Sequence, residues 1–241
     1  MLATTDSVAA GLLSGPGYVS VEAPRLRALV GETVLDDWST FAQSWNDLEI
    51  DRYMADGGRF RRRRFARFTA MGATVTREPH GPHFQSLAYN ALNGGIDRWF
   101  EPVTDAVAEH PITRRLLELC AEVFTRAEAS HTDGAWNIDM HQFRIEPSPH
   151  EAGRPTPEGM HRDGVDWVFV GLVARTGVAG GITGIGDAAG RSLGAFTLSE
   201  PLDAVFLDDR RVRHGVTPIE ILTPGDPAYR DVLVLTFRTA P

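Results

Sequence analysis

The sequence contains no lysine, since all 24 of its basic residues are arginine. A Schiff base to pyridoxal phosphate or to a carbonyl substrate needs a lysine, and so does the phosphate grip of a P-loop, so these chemistries are excluded. Cysteine is almost as scarce, because Cys120 is the only one in the chain. A single thiol excludes a disulfide within the chain, a multi-cysteine zinc site and a cysteine-ligated iron–sulfur cluster.

Long apolar runs are also absent, and no segment approaches the ~18 consecutive apolar residues that a membrane span needs. The first residues, MLATTDSVAAGLLSG, show neither the basic start nor the apolar stretch of a signal peptide. We therefore expect a cytoplasmic protein with no membrane partner. The net charge of −8 argues against nucleic acid as the main partner.

The remaining composition is typical of a packed domain, with 42% hydrophobic residues in a length of 241 that suits one β-rich unit. Residues 1–134 carry apolar side chains at helical spacing, whereas residues 135–241 alternate in short runs broken by Gly, Pro and Asp. The predicted helices are 24–30, 34–45, 97–109 and 111–129, and the predicted strands are 137–145, 165–174, 202–207, 212–221 and 231–238. We predict a single domain over 1–241, mostly β with flanking helices (α+β), in which a mainly helical N-terminal portion packs on a sandwich or barrel core.

An arginine-rich run, RFRRRRFARF over residues 59–68, is the densest positive charge in the chain. Basic residues interleaved with aromatic ones can bind nucleic acid. The same alternation describes a strand that turns one or two arginines inward, towards an anion-binding pocket. We favour the inward arginine because the chain as a whole is acidic.

Two histidines and an aspartate form the clearest chemical pattern. His161 and Asp163 are two residues apart, so on a strand their side chains would project to the same face, and His214 follows at the end of the strand-like segment VRHGVTP. Two imidazoles and one carboxylate on one face of an octahedral ion match the facial triad of non-haem Fe(II) oxygenases. Zinc is a possible occupant of the same ligands, and a surface loop without metal is the plain structural alternative.

Arginine at the start of the last strand completes the pattern. Arg230 opens RDVLVLTFR, and its planar guanidinium can make two parallel hydrogen bonds to a carboxylate. An oxygenase that draws electrons from a keto-acid needs such a group for the distal carboxylate. Arg238 shares the strand face with Arg230 and is the competing candidate, and a surface salt bridge is the structural alternative.

Several linked segments resemble the Fe(II)- and 2-oxoglutarate-dependent dioxygenases related to bacterial L-isoleucine 4-hydroxylase. The resembling segments are DGGRFRRRRFARF, PHGPHFQSLAYN, GGIDRWFEP, PTPEGMHRDGVDWVFVGLVAR, LDDRRVRHGVTPI and RDVLVLTFR, within roughly residues 50–238. The resemblance implies a double-stranded β-helix (cupin-like jelly roll), in which residues 135–241 form the metal-binding β-core and residues 1–134 its substrate side. It also implies that His161, Asp163 and His214 bind Fe(II) and that Arg230 binds 2-oxoglutarate.

Five further residues are candidates for substrate contact. Gln142 and Arg144 share one face of the predicted strand 137–145 and could reach a carboxylate or an amide oxygen. Trp167 falls on the face of His161 and Asp163, where it either walls the pocket or packs in the core. Tyr89 and Asn90, in the segment QSLAYN, are expected at the pocket entrance. The histidines of the segment PHGPH, residues 80 and 83, are expected in a structured loop rather than at a second metal site.

The resemblance implies hydroxylation of an aliphatic carbon of a free or N-substituted L-amino acid, with O2 consumed and 2-oxoglutarate decarboxylated to succinate and CO2. Two alternatives remain open at this point. One is the same chemistry on a carrier-bound or larger natural-product intermediate, and the other is a non-catalytic cupin-like binding protein. The presence of all three metal ligands speaks against the non-catalytic alternative.

Overall fold

A computed structural model describes residues 4–128 and 135–240, and most of its ordered backbone is β-strand. The strands are β1 (Tyr18–Val21), β2 (Glu49–Ile50), β3 (Arg61–Met71), β4 (Thr74–Arg77), β5 (Ala135–Ile145), β6 (Trp167–Thr176), β7 (Val178–Gly180), β8 (Ile182–Asp187), β9 (Ser192–Thr197), β10 (Ala204–Asp208), β11 (Val212–Val216), β12 (Ile219–Ile221) and β13 (Tyr229–Thr239). Each predicted strand overlaps one or two of these segments, and residues 61–68 of the arginine-rich run belong to β3.

Helices precede most of the strands. They are α1 (Thr5–Ser14), α2 (Ala23–Val30), α3 (Trp38–Gln43), α4 (Asp105–Ala108) and α5 (Pro111–Ala127), with 3-10 turns at Glu32–Leu35 and Ser44–Asp47. The longest, α5, begins where the His110 ring accepts a hydrogen bond from the Ile112 amide (3.2 Å) and a proline occupies the first turn. Its buried stripe includes Leu116, Cys120 and Phe124, as the helical spacing predicts.

Two helix predictions need correction. The segment 34–45 is a short α-helix between two 3-10 turns rather than one continuous helix. Within 97–109 the helix covers only Asp105–Ala108, because Arg98 pairs with His83 as an isolated β-bridge and Pro102 bridges to Phe65. Residue 129, the last of the predicted helix 111–129, lies outside the described residues. The predicted boundary at residue 134, between the helical portion and the β-core, also lies outside them.

The largest sheet of the fold is antiparallel and has eight strands. Its strand order is β1-β10-β6-β13-β5-β3-β2, with β4 paired to β3. The N-terminal strand β3 runs beside β5 over its whole length, from Arg61 opposite Ile145 to Met71 opposite Ala135. Residues of the helical portion and of the β-core therefore belong to one sheet.

The two faces of this sheet have different partners. One face packs against the helices in the largest apolar cluster, which includes Phe68 of β3, Ile138 of β5, Phe237 of β13 and Phe124 of α5. The other face meets two smaller sheets, of order β11-β8-β9 and β12-β7. Antiparallel sheets packed face to face in this way form the predicted jelly roll. None of the described helices is long and apolar enough to cross a membrane.

Candidate metal centre and its cavity

The two predicted histidine ligands are joined through their backbones. His161 and His214 form an isolated antiparallel bridge, in which each amide donates to the other's carbonyl at 2.9 Å, and their ring centroids are 4.5 Å apart. Asp163 lies between the rings, with Oδ1 at 3.6 Å from Nε2 of His161 and Oδ2 at 3.5 Å from Nε2 of His214. The expectation that a continuous strand carries His161 and Asp163 is wrong, because residues 162–164 are loop.

This cluster fits a divalent ion such as Fe(II). One candidate ligand atom from each residue lies within 4.8 Å of the others, and the facing imidazole Nε2 and carboxylate atoms are more widely spaced than hydrogen-bonded atoms. The backbone carbonyl of Gly159 accepts a hydrogen bond from Nδ1 of His161 at 3.0 Å, which directs Nε2 towards Asp163, where a metal ion would bind in place of the Nε2 proton. Two nitrogens and one oxygen on one side suit non-haem iron.

Electrostatics in the cluster follow from burial and mutual contact. Burial alone would lower the pKa of His161, but the Asp163 and Glu158 carboxylates raise it to about 9. Burial and the neighbouring His161 lower the pKa of His214 to about 4. The pKa of Asp163 is lowered, because the two histidines outweigh its burial. The carboxylate is therefore ionised and ready to bind a cation at neutral pH.

A second aspartate holds the loop that carries Asp163. The Asp209 carboxylate is fully buried and accepts three backbone hydrogen bonds, from Asp163 (2.9 Å), Gly164 (2.8 Å) and Val165 (3.1 Å). Gly164 has φ +78°, and an added Cβ there would lie 2.4 Å from the Tyr89 ring, so glycine is required on both counts. The loop is thereby fixed by hydrogen bonds and by close packing.

The cavity next to the cluster contains Arg230, which is only 2% exposed. Two of its guanidinium nitrogens, Nε and Nη2, are buried without a hydrogen-bond partner among the described residues. Burial, together with the nearby Arg175 cation, lowers the pKa of Arg230 to about 10, so it remains charged at neutral pH. Arg238 lies on the same face, as predicted, but its side chain is 41% exposed and 3.7 Å from the Asp139 carboxylate.

Three more arginines border the same cavity. Arg61 and Arg63 project inward from β3 and Arg98 from the loop before α4, and all three are less than a tenth exposed. Asp51 binds two of them, at 2.6 Å from Arg61 and 3.5 Å from Arg63. The inward arginines predicted from the alternation of β3 are thus confirmed.

Two histidines are wedged among these arginines. Nη2 of Arg63 lies 2.7 Å from Nδ1 of His141, and Nη2 of Arg98 lies 2.9 Å from Nδ1 of His83. Burial, then the neighbouring arginine cations, lower both histidine pKa values well below the usual range, so both rings are neutral at pH 7. Histidine 83 belongs to a structured loop, as expected.

Three of the predicted substrate residues do not reach the cavity. Trp167 packs in the helix-side core, stacked on Phe124 with centroids 5.3 Å apart, so its core alternative is the right one. Gln142 donates to Ser44 on the helix side of β5, and Arg144 makes two 2.7 Å hydrogen bonds to Asp231. The prediction that these three contact the substrate is wrong. The residues of β5 that face the cavity are the ones that alternate with Gln142 and Arg144, and Trp167 lies on the sheet face away from the cavity.

The other two predicted residues lie at the cavity. Asn90 lines it, but its amide is engaged with Gln85 (2.9 Å) and with the Asn93 backbone (2.7 Å). Tyr89 is 39% exposed and lines an outer groove that Asp163 and Arg238 share. Their place at the pocket entrance and their contact with substrate stay predictions.

Sequence reasoning missed several residues around the cavity. His141 and its neighbour Gln142 project from opposite faces of β5. Choosing His141 would have required knowing which of the two faces packs against the helices. Asp209 is the second aspartate of the DDRR segment and gave no sign of its buried acceptor role. The segments PHGPHFQ and GIDRWF resembled family sequence, and they supply His83, Gln85 and Arg98.

Comparison with known sequences identifies the family. A sequence model of the 2OG-Fe dioxygenases matches residues 42–236, so the chain belongs to the 2OG-Fe dioxygenase family, whose enzymes depend on Fe(II) and 2-oxoglutarate. A 3(1)-hydroxy-L-isoleucine 4-dioxygenase of Pantoea ananatis is 25% identical over 94% of this chain and 90% of its own. An L-isoleucine-4-hydroxylase of Bacillus thuringiensis is 26% identical over 64% of each chain.

Solved structures show the same fold. A BsmA homologue from Methylobium petroleophilum superposes with a TM-score of 0.89 at 37% identity, covering 100% of this chain and 95% of that one. The IDO structure from Bacillus thuringiensis gives a TM-score of 0.78 at 18% identity, covering 99% and 96%. The predicted jelly-roll dioxygenase fold is confirmed.

Proposed function

We propose that this enzyme hydroxylates an aliphatic carbon of a free or N-substituted L-amino acid while 2-oxoglutarate is converted to succinate and CO2. In this proposal His161, Asp163 and His214 bind Fe(II), and Arg230 binds the distal carboxylate of 2-oxoglutarate. One observation carries it: a single cavity contains both the histidine–aspartate cluster and a buried arginine with two unpartnered nitrogens.

Iron and 2-oxoglutarate, when bound, supply the activation of O2 and the electrons for it. The side chains of the protein hold the iron and 2-oxoglutarate in position. His161, Asp163 and His214 would hold the ion through two nitrogens and one oxygen, and the bound ion would supply the site at which 2-oxoglutarate and O2 react. The guanidinium of Arg230 fixes the far end of the keto-acid, because a planar fork pairs with a carboxylate through two parallel hydrogen bonds.

The apolar part of the cavity protects the reaction from water. Val170 of β6, Val205 of β10 and both Val232 and Val234 of β13 line it. An apolar wall leaves few hydrogen-bonding partners for water and strengthens the electrostatic interactions of charged ligands. It also accommodates an aliphatic side chain, which is the part of the substrate to be oxidised.

The names of the relatives support an amino acid as the substrate. Both curated relatives are named for reactions of isoleucine or of a hydroxylated isoleucine. At about one quarter identity these names support the class of substrate rather than the particular side chain.

The test is a panel assay with iron-loaded protein, 2-oxoglutarate and each aliphatic L-amino acid, with N-acyl and N-alkyl derivatives included. Succinate and products one oxygen atom heavier are measured by mass spectrometry. We expect at least one member to stimulate succinate formation and to gain an oxygen atom. If no member does so while a carrier-bound aminoacyl thioester does, the substrate is the tethered one.

The non-catalytic alternative makes an opposite prediction for the same assay. A binding protein would hold an amino acid without forming succinate, whatever the metal. The three candidate ligands and the two Arg230 nitrogens that have no hydrogen-bond partner among the described residues favour turnover.

A further inference from the structure

The inward arginines form a wall of the cavity that is separate from Arg230. This cationic wall consists of Arg61, Arg63 and Arg98 together with His83 and His141. Among the described residues, only Asp51 brings a carboxylate within 4.0 Å of these guanidinium groups. Three buried cations therefore share one bound anion, and arginine stays charged at neutral pH. Such an excess of buried positive charge is costly unless a ligand compensates it.

Two guanidinium nitrogens in the cationic wall also lack acceptors. Nε of Arg63 and Nε of Arg98 are buried and have no hydrogen-bond partner in the described part of the chain. The Arg63 guanidinium also stacks 3.5 Å from the Phe100 ring centroid, which fixes its plane. The group is thus held in place, yet its donors are not all used.

The histidines add further donors. An arginine nitrogen can only donate, so Nδ1 of His141 must accept from Arg63 and Nδ1 of His83 must accept from Arg98. A neutral ring that accepts at Nδ1 carries its proton on Nε2. Nε2 of His83 lies 3.8 Å from Asp139. The wall therefore presents donors and no free acceptor.

We infer that the cationic wall binds the α-carboxylate of the substrate, and that the enzyme accordingly acts on free acids rather than on esters, amides or carrier-bound thioesters. This inference rests on the proposed function, in which Arg230 already serves 2-oxoglutarate. A carboxylate accepts through both oxygens and neutralises the wall, whereas a thioester or an amide carries no charge to do so. An ammonium group would be repelled, so the amino end of the substrate faces away from the wall.

Binding of matched acid and amide probes tests the inference without turnover. The probes are L-isoleucine with L-isoleucinamide and L-methionine with L-methioninamide, titrated calorimetrically with 2-oxoglutarate present and Zn(II) in place of iron. For at least one pair we expect the free acid to bind about tenfold to a hundredfold more tightly than its amide, as charged hydrogen bonds warrant. Amides that bind as tightly as the acids, or acids that do not bind at all, would overturn it.

Variants assign the effect to the wall. Arg63→Met and Arg98→Met are each expected to weaken acid binding about tenfold or more while amide binding stays unchanged. Arg63→Lys should restore part of the affinity, because it returns the charge without the planar fork. Arg62→Met is the matched control on the same strand, since Arg62 pairs with Glu146 on the other face at 37% exposure. Using two separate arginines keeps the test valid if one variant fails to fold.

The two proposals can fail separately. If iron-loaded protein forms no succinate with any amino acid but still prefers acids to amides, the proposed function fails and the carboxylate site stands. If it oxidises an amide or a thioester as efficiently as the acid, the carboxylate site is wrong and the dioxygenase reaction stands.

Discussion

At the scale of single residues, burial and hydrogen-bond partners distinguish two candidate arginines that the sequence alone could not distinguish. Arg230 and Arg238 lie on one face of β13, but Arg238 is partly exposed beside Asp139, whereas Arg230 is buried and two of its nitrogens have no partner among the described residues. We expect Arg230→Met to raise the dissociation constant for 2-oxoglutarate about tenfold to a hundredfold, because charged hydrogen bonds are lost. Equilibrium dialysis with Zn(II)-loaded protein measures it. Arg238→Met is the control, and a larger loss there would reverse the assignment.

The three proposed metal ligands give a second prediction at this scale. Replacing His161 or His214 with alanine removes one of only three protein ligands and should reduce bound iron to below one tenth of the wild-type content, on the order expected for a lost ligand. Metal content after dialysis, measured by plasma mass spectrometry, is the readout. His150→Ala is the matched control, since His150 is exposed. Wild-type iron content in both variants would contradict the assignment.

At the scale of elements, we propose that Asp209 is a positioning residue, which holds the loop 163–165 for metal binding. Asp209→Asn replaces an oxygen that accepts backbone N–H groups with an amide donor, so we expect about 1–3 kcal/mol lower stability and about tenfold to a hundredfold weaker metal binding. Denaturant unfolding and metal titration measure the two effects.

Asp203 provides a control with matched chemistry. Its carboxylate also accepts three backbone hydrogen bonds, from Ala23, Ser199 and Glu200, each at 2.9 Å. Asp203→Asn should cost similar stability and leave metal affinity unchanged. Equal loss of metal affinity in both variants would show that the effect of Asp209 is general destabilisation.

The contact between Trp167 and helix α5 gives a prediction about packing. Trp167 is 1% exposed and lies on the helix side of the main sheet. Trp167→Ala should lower the free energy of unfolding by about 3–5 kcal/mol, whereas Trp99→Ala, at a side chain that is 57% exposed, should change it by less than about 0.5 kcal/mol.

The milder Trp167→Phe variant should keep the KM values for 2-oxoglutarate and for the amino acid. The readout is steady-state kinetics. A selective rise in the amino-acid KM would place Trp167 at the substrate after all.

The local sequence pattern predicted the helices and strands well, but it predicted poorly which face of a strand meets the cavity. The apolar stripe of α5 and the alternation of β3 depend on neighbouring residues, so both could be predicted from the sequence. The side of β5 that meets the cavity depends on where the helices pack, and for that reason His141 was missed and Gln142 was chosen. The break within 97–109 depends on the pairing of Arg98 with His83, which no local signal encodes.

At the scale of the whole molecule, the fold brings four distant segments into one cavity. The His161–His214 bridge joins residues far apart in sequence, β13 contributes Arg230, and β3 contributes the inward arginines. Spacing of H-x-D and the later histidine predicted the metal cluster because the chemistry fixes the residue types. The cationic wall could be predicted only as one or two inward arginines, since Arg98 and His83 reach it through loop packing and His141 through the face of β5 that meets the cavity.

The most direct test of the account uses 18O2 with iron-loaded protein, 2-oxoglutarate and the best amino acid of the panel. We predict one labelled oxygen in succinate and one in the hydroxylated amino acid, in equal amounts, and neither product with Asp163→Ala. Succinate that forms without any label in the amino acid, or a product oxygen derived from water, would contradict the account.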